Sequence, residues 1–244
     1  MTVRRRTSAA LALAALVALA VPAAAPAQSP PPAASAAPVV AATLDGTWTV
    51  DPTLGSFDYA AGDFSGSWAG YRVQEELVGM GGITAVGRTP AITGSITLAG
   101  TTLAAAELVV DLTTLQSDDG RRDGQLARQG IEYDMYPTAT FVLTAPVELG
   151  TLPAEGEART VEAVGDLTLH GVTKSVTIPL GVIRQGDVIG AAGAVDFTWE
   201  DFSMEKPRSM IVLSLADTVT MEMQVFFRRD AGTPAASPVG SPAP

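Results

Sequence analysis

The 244-residue chain contains no cysteine, no asparagine and a single histidine. Because cysteine is absent, we expect no disulfide, no thiolate nucleophile, no cysteine-ligated metal and no cysteine-linked lipid anchor. The absence of asparagine removes N-glycosylation sites. Positive charge is also scarce, with 15 basic against 26 acidic residues and a net charge of −11. That balance argues against nucleic acid as a partner, since nucleic acid binds to basic surfaces.

Catalytic patterns are scarce as well. A Ser-His-Asp system would have to use His170, which precedes Gly171 at a strand end and is typical of a structural or surface turn. The carboxylates of Asp118, Asp119 and Asp123 lack the spacing of a calcium loop. We therefore predict no catalytic residue, no metal and no cofactor. A carboxylate pair acting on a sugar stays open, because 26 acidic residues always allow such a pair.

The start of the chain has the pattern of an export signal. Arg4 to Arg6 precede an apolar run from Ala9 to Val21, and the small residues Ala25-Pro26-Ala27 follow. This order predicts a signal peptide over residues 1–27, with cleavage near Ala27. The run is too short and too rich in alanine for a good membrane span, and a retained anchor is the alternative. We expect a secreted protein, or one of the periplasm or cell envelope.

Two further segments differ from the middle of the chain. Residues 28–45 and 231–244 are rich in proline and alanine. They can bury too little apolar surface to offset the entropy lost on ordering, so we predict a disordered linker and a disordered tail. Residues 46–230 resemble an ordinary globular sequence and suffice for one domain with a sizeable core.

Apolar residues in this middle segment recur at every second position, the pattern of strands with one buried face. Clear runs are Val161 to Leu169, Val176 to Val182 and Val219 to Phe227. We predict an all-β antiparallel barrel of about eight strands, closed to protect its edges, with a sandwich as the alternative. The charged segment from Arg121 to Arg128 breaks the alternation and predicts one short helix.

A barrel of this size can hold one small ligand. Its inward positions are aliphatic and aromatic, so an apolar molecule is the simplest cargo, although a filled core would show the same periodicity. The residues predicted to line a cavity are Tyr71, Val73, Ile96, Val110, Leu112, Phe141, Leu143, Leu167, Leu169, Phe197 and Trp199.

Four strings along the middle segment are distinctive. Gly165 to Val176 reads G-D-L-T-L-H-G-V-T-K-S-V, and Tyr136 to Phe141 reads Y-P-T-A-T-F. Upstream stand Arg122-Asp123 with Leu126, and Trp48 to Pro52 reads W-T-V-D-P. In type and order, these strings resemble the signatures of the YceI-like family.

The resemblance implies a lipocalin-like antiparallel barrel with an elongated apolar cavity, placement outside the cytoplasm, and binding of isoprenoid or other long-chain lipids. The N-terminal third departs from the family, and Phe57 to Trp68 resembles an extra loop. For Lys174, an ion pair with a carboxylate is favoured over contact with a ligand headgroup. The motif residues expected to be structural are His170, Gly171, Lys174, Tyr136, Pro137, Arg122 and Asp123.

The leading interpretation is a secreted, non-catalytic carrier or buffer for an apolar lipid such as a polyisoprenoid. Two alternatives stay open, namely a structural or interaction module of the cell envelope with a filled core, and an enzyme acting on a lipid or sugar. We expect neither nucleic acid nor metal as a partner, and a homodimer remains open.

Overall fold

The computed structural model describes residues 44–150 and 154–230, which form twelve strands, one α-helix and three further short helical turns. The predicted signal peptide, the predicted tail and all of the predicted linker before Leu44 lie outside these residues. The strands are β1 (Gly46–Val50), β2 (Trp68–Leu77), β3 (Gly81–Thr89), β4 (Ile92–Ala99), β5 (Thr102–Asp111), β6 (Gln116–Ser117), β7 (Thr138–Leu143), β8 (Val147–Glu148), β9 (Ala158–Leu169), β10 (Val172–Gln185), β11 (Val188–Thr198) and β12 (Val212–Arg229).

Eight of these strands close into an antiparallel barrel. The order around the ring is β1-β4-β5-β7-β9-β10-β11-β12, and β1 completes it by pairing with both β4 and β12. The predicted alternation places Ala163, Leu167 and Leu169 of β9 in the core, together with Ile178 and Leu180 of β10, and Ala163 lies directly opposite Ile178. The prediction of an eight-stranded antiparallel barrel is thereby confirmed.

One part of the sheet projects beyond this ring. β11 ends at Thr198, which pairs with Thr218 of β12. The preceding residues of β12 therefore lack β11 as a partner, and they pair with β2 alone. β2 pairs in turn with β3, and β3 with β6. We call this projection the flap, consisting of residues 75–83 of the β2–β3 hairpin and residues 207–217.

The flap is attached to the barrel by side-chain contacts at its base. The indole Nε1 of Trp199 donates to the carbonyl oxygen of Ala216 at 2.9 Å. The ammonium of Lys206 donates to the carbonyl oxygen of Leu215 at 3.2 Å. These bonds satisfy carbonyl groups at the point where β12 leaves the ring, so the projecting strand keeps a defined direction.

The predicted short helix is present as α1 (Gly120–Gln125), followed by a π-type turn over Leu126–Gly130. It begins at Asp119, whose carboxylate accepts a hydrogen bond from the backbone N–H of Arg121 at 2.8 Å. The carboxylate of Asp123 accepts from the N–H of Ser117 at 3.0 Å, which joins the helix to β6. Within the described residues, no helix has the length and apolar character needed to cross a membrane.

The segment between β1 and β2 is a long loop, as expected for the extra residues there. Its Phe64 packs edge-on against both Phe57 and Tyr59. The guanidinium of Arg88 lies 4.5 Å from the ring centroid of Phe64 and 4.1 Å from that of Trp68. Cation–π contacts of this kind hold the loop against β3.

Candidate functional site

A row of four cavities runs through the barrel, starting beneath the flap. The mouth cavity measures about 450 Å³ and is bounded by the flap and α1. The upper, middle and lower cavities measure about 80, 40 and 90 Å³. The barrel is therefore neither an open tube nor completely filled.

Neighbouring cavities share lining residues. Tyr71, Leu126 and Trp199 lie between the mouth and upper cavities. Ala69, Val110, Ala139 and Met221 lie between the upper and middle cavities, and Leu108, Phe141, Ile178 and Met223 between the middle and lower cavities. The shared residues therefore place the four cavities one after another along the barrel.

The structure places all eleven predicted cavity-lining residues on these walls. Contact of these residues with a ligand stays a prediction. The mouth cavity is lined by Val73, and Tyr71 and Trp199 line both the mouth and the upper cavity. The upper cavity is also lined by Leu112, Leu169 and Phe197, and Val110 lines both the upper and the middle cavity. Leu167 lines the middle cavity, Phe141 lines the middle and lower cavities, and Ile96 and Leu143 line the lower cavity.

A buried ion pair lies on the wall of the mouth cavity. Arg122 of α1 donates to Oε1 of Glu75 from Nη2 at 2.5 Å and from Nε at 3.1 Å. The two side chains are 16% and 5% exposed. Burial alone lowers the pKa of Arg122, but hydrogen bonds to Glu75 and Asp118 outweigh it and raise the pKa above its usual range. Arg122 therefore stays charged inside the wall.

Sequence reasoning missed Glu75, although a signal for it existed. Glu75 lies on β2 between Val73 and Leu77, on the same inward face. A carboxylate at an inward position of a predicted strand requires a partner, because an unpaired buried charge is strongly disfavoured. Arg121 and Arg208, which also line the mouth, gave no such signal, since loop geometry brings them there.

Tyr71 separates the charged mouth from the apolar interior. Burial raises the pKa of its hydroxyl well above the usual range, so the phenol is neutral. Its ring lies against Gly87 of the paired strand β3, where any Cβ would overlap the tyrosine. The small residue at position 87 thus makes room for the aromatic side chain.

The motif residues around His170 form a turn that lies away from the four cavities. His170 and Gly171 have φ angles of 52° and 73° and connect β9 to β10 as a two-residue hairpin turn. The Nδ1 atom of His170 lies 3.1 Å from the carbonyl oxygen of Phe202, and its Nε2 lies 2.8 Å from Glu132. The Tyr136 ring centroid lies 4.3 Å from that of His170.

The remaining motif residues also contact neighbouring protein groups. Lys174 donates to a carboxylate oxygen of Asp201 at 3.1 Å. The carbonyl oxygen of Pro137 accepts from the N–H of Leu112 at 2.8 Å. Only Arg122 among the motif residues lines one of the four cavities, so it combines a structural ion pair with a position at the mouth.

No metal-binding geometry occurs in the part of the chain that the structure describes. There, no three histidine, aspartate or glutamate residues lie close enough to hold an ion. Both ring nitrogens of His170 already contact protein acceptors. The predicted absence of a catalytic residue stays a prediction.

Comparison with known families gives one match, to the model of the YceI-like domain over residues 48–227. Curated relatives include UPF0312 proteins of two Vibrio species. One from Vibrio parahaemolyticus is 39% identical over 82 residues, which are 33% of this chain and 39% of the relative. One from Vibrio cholerae is 32% identical over 132 residues, which are 50% of this chain and 63% of the relative. The match thus spans less than two thirds of each of these relatives.

Solved structures share the fold. A polyisoprenoid binding domain from Saccharophagus degradans, implicated in plant cell wall breakdown, superposes with a TM-score of 0.55 and 20% identity, covering 75% of this chain and 98% of that domain. BcnA from Burkholderia cenocepacia superposes with a TM-score of 0.51 and 20% identity, covering 70% of this chain and 99% of BcnA. At this identity, the likeness concerns the fold alone.

Proposed function

Because this chain belongs to the YceI-like domain family, we propose that it binds a long-chain apolar lipid, foremost an isoprenoid, inside its barrel. The observation that carries this proposal is the row of four cavities with largely aliphatic and aromatic walls. A neighbour of the same fold is a polyisoprenoid binding domain, which supports the choice of ligand class.

The inner cavities are small, so the lipid tail enters by displacing side chains. Met221 lies between the upper and middle cavities, and Met223 between the middle and lower ones. Methionine is unbranched and adapts its shape readily, which suits it to such a passage. Each methylene group transferred from water into this interior contributes about 0.8 kcal/mol, so a long tail alone supplies substantial affinity.

The polar end of the lipid remains at the mouth. Glu75 and Arg122 lie on that wall, and Tyr71 follows at the entrance to the upper cavity. These groups offer hydrogen-bond acceptors and donors to a hydroxyl, carbonyl or phosphate. The tail therefore points toward the lower cavity, where apart from Arg159 and Arg184 the lining side chains are aliphatic or aromatic.

We further propose a carrier or buffer that performs no bond chemistry and acts outside the cytoplasm. Support for the first part is that His170, the single histidine of the chain, contacts protein acceptors and lies away from the four cavities. Support for the second part is the charged and apolar pattern at the start of the sequence.

Organic extraction of the purified protein, followed by mass spectrometry, tests the proposal. We expect an isoprenoid or another long-chain lipid in stoichiometric amount, and saturable binding of added polyprenol by protein stripped of lipid. Recovery of no lipid from repeated preparations, together with no binding of polyprenol, would overturn it. That result would favour a structural or interaction module.

A further inference from the structure

The carboxylate of Glu75 presents one unpartnered oxygen to the mouth cavity. Its Oε1 accepts from both Nη2 and Nε of Arg122, whereas its Oε2 accepts no hydrogen bond within the described residues. The fully buried side-chain atoms that lack a partner there are Nε of Arg88 and the hydroxyl of Tyr133, and Oε2 of Glu75 is not among them. Oε2 therefore reaches open space, and the cavity that Glu75 lines is the mouth.

A ligand that fills the mouth removes water from this oxygen. The side chain of Glu75 is only 5% exposed, so a bound ligand leaves little room for water beside it. An acceptor that loses water without gaining a donor is disfavoured, and more strongly so when it carries charge. The polar end of the ligand therefore has to donate a hydrogen bond to Oε2.

Acidic groups balance the basic groups around the mouth. Three arginines line the cavity together with Glu75 and Asp119. Asp118 adds a third negative charge through its ion pair with Arg122, and the exposed Glu76 beside Glu75 adds a fourth. A phosphate or carboxylate on the ligand gains no net attraction from such surroundings and lies beside Glu75 as a like charge. An ammonium group meets Arg122 in the same way.

The path inward from Glu75 also lacks a counter-charge for an ionised ligand. The next polar group on the inward face of β2 is the hydroxyl of Tyr71, which burial keeps neutral by raising its pKa. The upper cavity beyond Tyr71 is lined by no charged side chain among the described residues. A charged end would therefore be stabilised neither at Glu75 nor further inside the barrel.

We infer that the mouth selects a lipid whose polar end is uncharged and donates a hydrogen bond to Oε2 of Glu75, as a prenol hydroxyl does. The inference rests on the function proposed above, and it makes Glu75 the residue that determines the choice of headgroup. A hydroxyl meets both requirements, because it carries no charge and offers one O–H donor. An ether carries no charge but has no donor, and a phosphate is charged.

Three lipids that share one tail test the inference, namely a long polyprenol, its methyl ether and its phosphate. The tail contributes equally to all three, so their affinities in detergent report on the headgroup. We expect the full chain to bind the polyprenol at least about tenfold more tightly than the other two. E75Q keeps the shape and an acceptor for Arg122 but replaces one carboxylate oxygen with an N–H donor. We expect the preference to fall to about twofold or less in this variant.

A second variant and a control separate the headgroup contact from stability and from bulk charge. E75Q/R122Q leaves no unpaired buried charge, and we expect it to lose the preference as E75Q does. E76Q removes the same charge from the next, exposed position of β2 and is expected to keep the preference. A purely structural role of Glu75 would weaken the binding of all three lipids alike, and that result would overturn the inference.

The same titrations distinguish failure of this inference from failure of the proposed function. Equal affinity of the parent protein for the three lipids would leave lipid binding in place and overturn the selection of an uncharged donor. Phosphate binding as tight as that of the polyprenol, and removed in R121Q/R208Q, would assign the mouth to an anionic end and also overturn it. Binding of none of the three lipids would overturn the proposed function itself.

Discussion

The Nε2 atom of His170 lies 2.8 Å from a carboxylate oxygen of Glu132, and both residues have left-handed backbone, with φ angles of 52° and 57°. Among the described residues, Ser203 is the third non-glycine residue with positive φ, at 54°. It follows Phe202, whose carbonyl oxygen lies 3.1 Å from Nδ1 of the same imidazole. One side chain thus connects the three places where the backbone adopts a conformation that L-residues disfavour.

Replacing His170 with alanine is therefore expected to destabilise the barrel. The variant loses the contacts of the imidazole with Glu132 and with the buried Phe202 carbonyl, so we expect the free energy of unfolding to fall by about 2–3 kcal/mol. Urea denaturation measures the change. Lys174→Ala on the same hairpin removes a half-exposed ion pair and serves as the control, with an expected loss below about 1 kcal/mol. Equal losses in the two variants would contradict the connecting role of the imidazole.

Glu75→Ala is expected to lower stability more than removal of an exposed charge. The substitution removes the buried carboxylate partner of Arg122 and leaves it only the exposed Asp118, and breaking such a buried pair costs about 3 kcal/mol. The matched control is Arg121→Ala on the same helix, where we expect a change of about 0.5 kcal/mol or less. Thermal and urea unfolding measure the stability of both variants, each of which removes one charge. A larger loss for Glu75→Ala supports a stabilising buried pair, and equal losses would contradict it.

Acid is expected to weaken the turn after β11. The carboxylate of Asp201 accepts hydrogen bonds from the backbone and hydroxyl of Thr198, both at 2.8 Å, and pairs with Lys174. These bonds, with the backbone bond first, lower the pKa of Asp201 from 3.8 to about 2. Because the folded pKa lies below the unfolded one, this contribution is fully present above about pH 4 and is lost as the pH falls toward 2.

Denaturation midpoints from pH 7 to pH 2 test the acid effect. Asp201→Asn is expected to be less stable at neutral pH and to lose part of the decline between pH 4 and pH 2. Asp166→Asn, on the nearby strand β9, is the control because the pKa of Asp201 has no contribution from it. An unchanged acid profile for Asp201→Asn would contradict the assignment.

The alternation of apolar and polar residues was sufficient to predict the barrel, because the long strands of the barrel place their apolar residues on one face. β12 is the clearest case, with Val219, Val225 and Phe227 buried on that face. β3 was not predicted because its small residues, such as Gly82 and Gly87, interrupt the alternation of apolar and polar side chains. Strand pairing with β2, and the room that Tyr71 needs, determine its conformation.

The same alternation predicts which residues face inward, and it indicates that Glu75 needs a partner, but it does not identify Arg122 as that partner. Glu75 and Arg122 are 47 positions apart, and only the flap and α1 bring them together. Periodicity also cannot distinguish a filled core from a row of cavities, because cavity volume depends on how side chains of different strands meet. For example, the small side chain of Ala139 lines two cavities, and only the three-dimensional structure shows this.

Ala139→Phe is expected to shorten the lipid that the barrel accepts. Ala139 of β7 is buried between the upper and middle cavities, and a ring there blocks the route to the lower one. We expect binding of a long polyprenol to fall at least tenfold, while a short prenol such as farnesol, which fits above the block, binds as before. Overpacking costs about 1–3 kcal/mol, so unfolding is measured alongside binding. Val142→Phe adds the same ring to the outer face of the same strand and is expected to change neither affinity. Equal affinity of Ala139→Phe for both lipids, in protein that remains folded, would show that the tail does not follow the row of cavities.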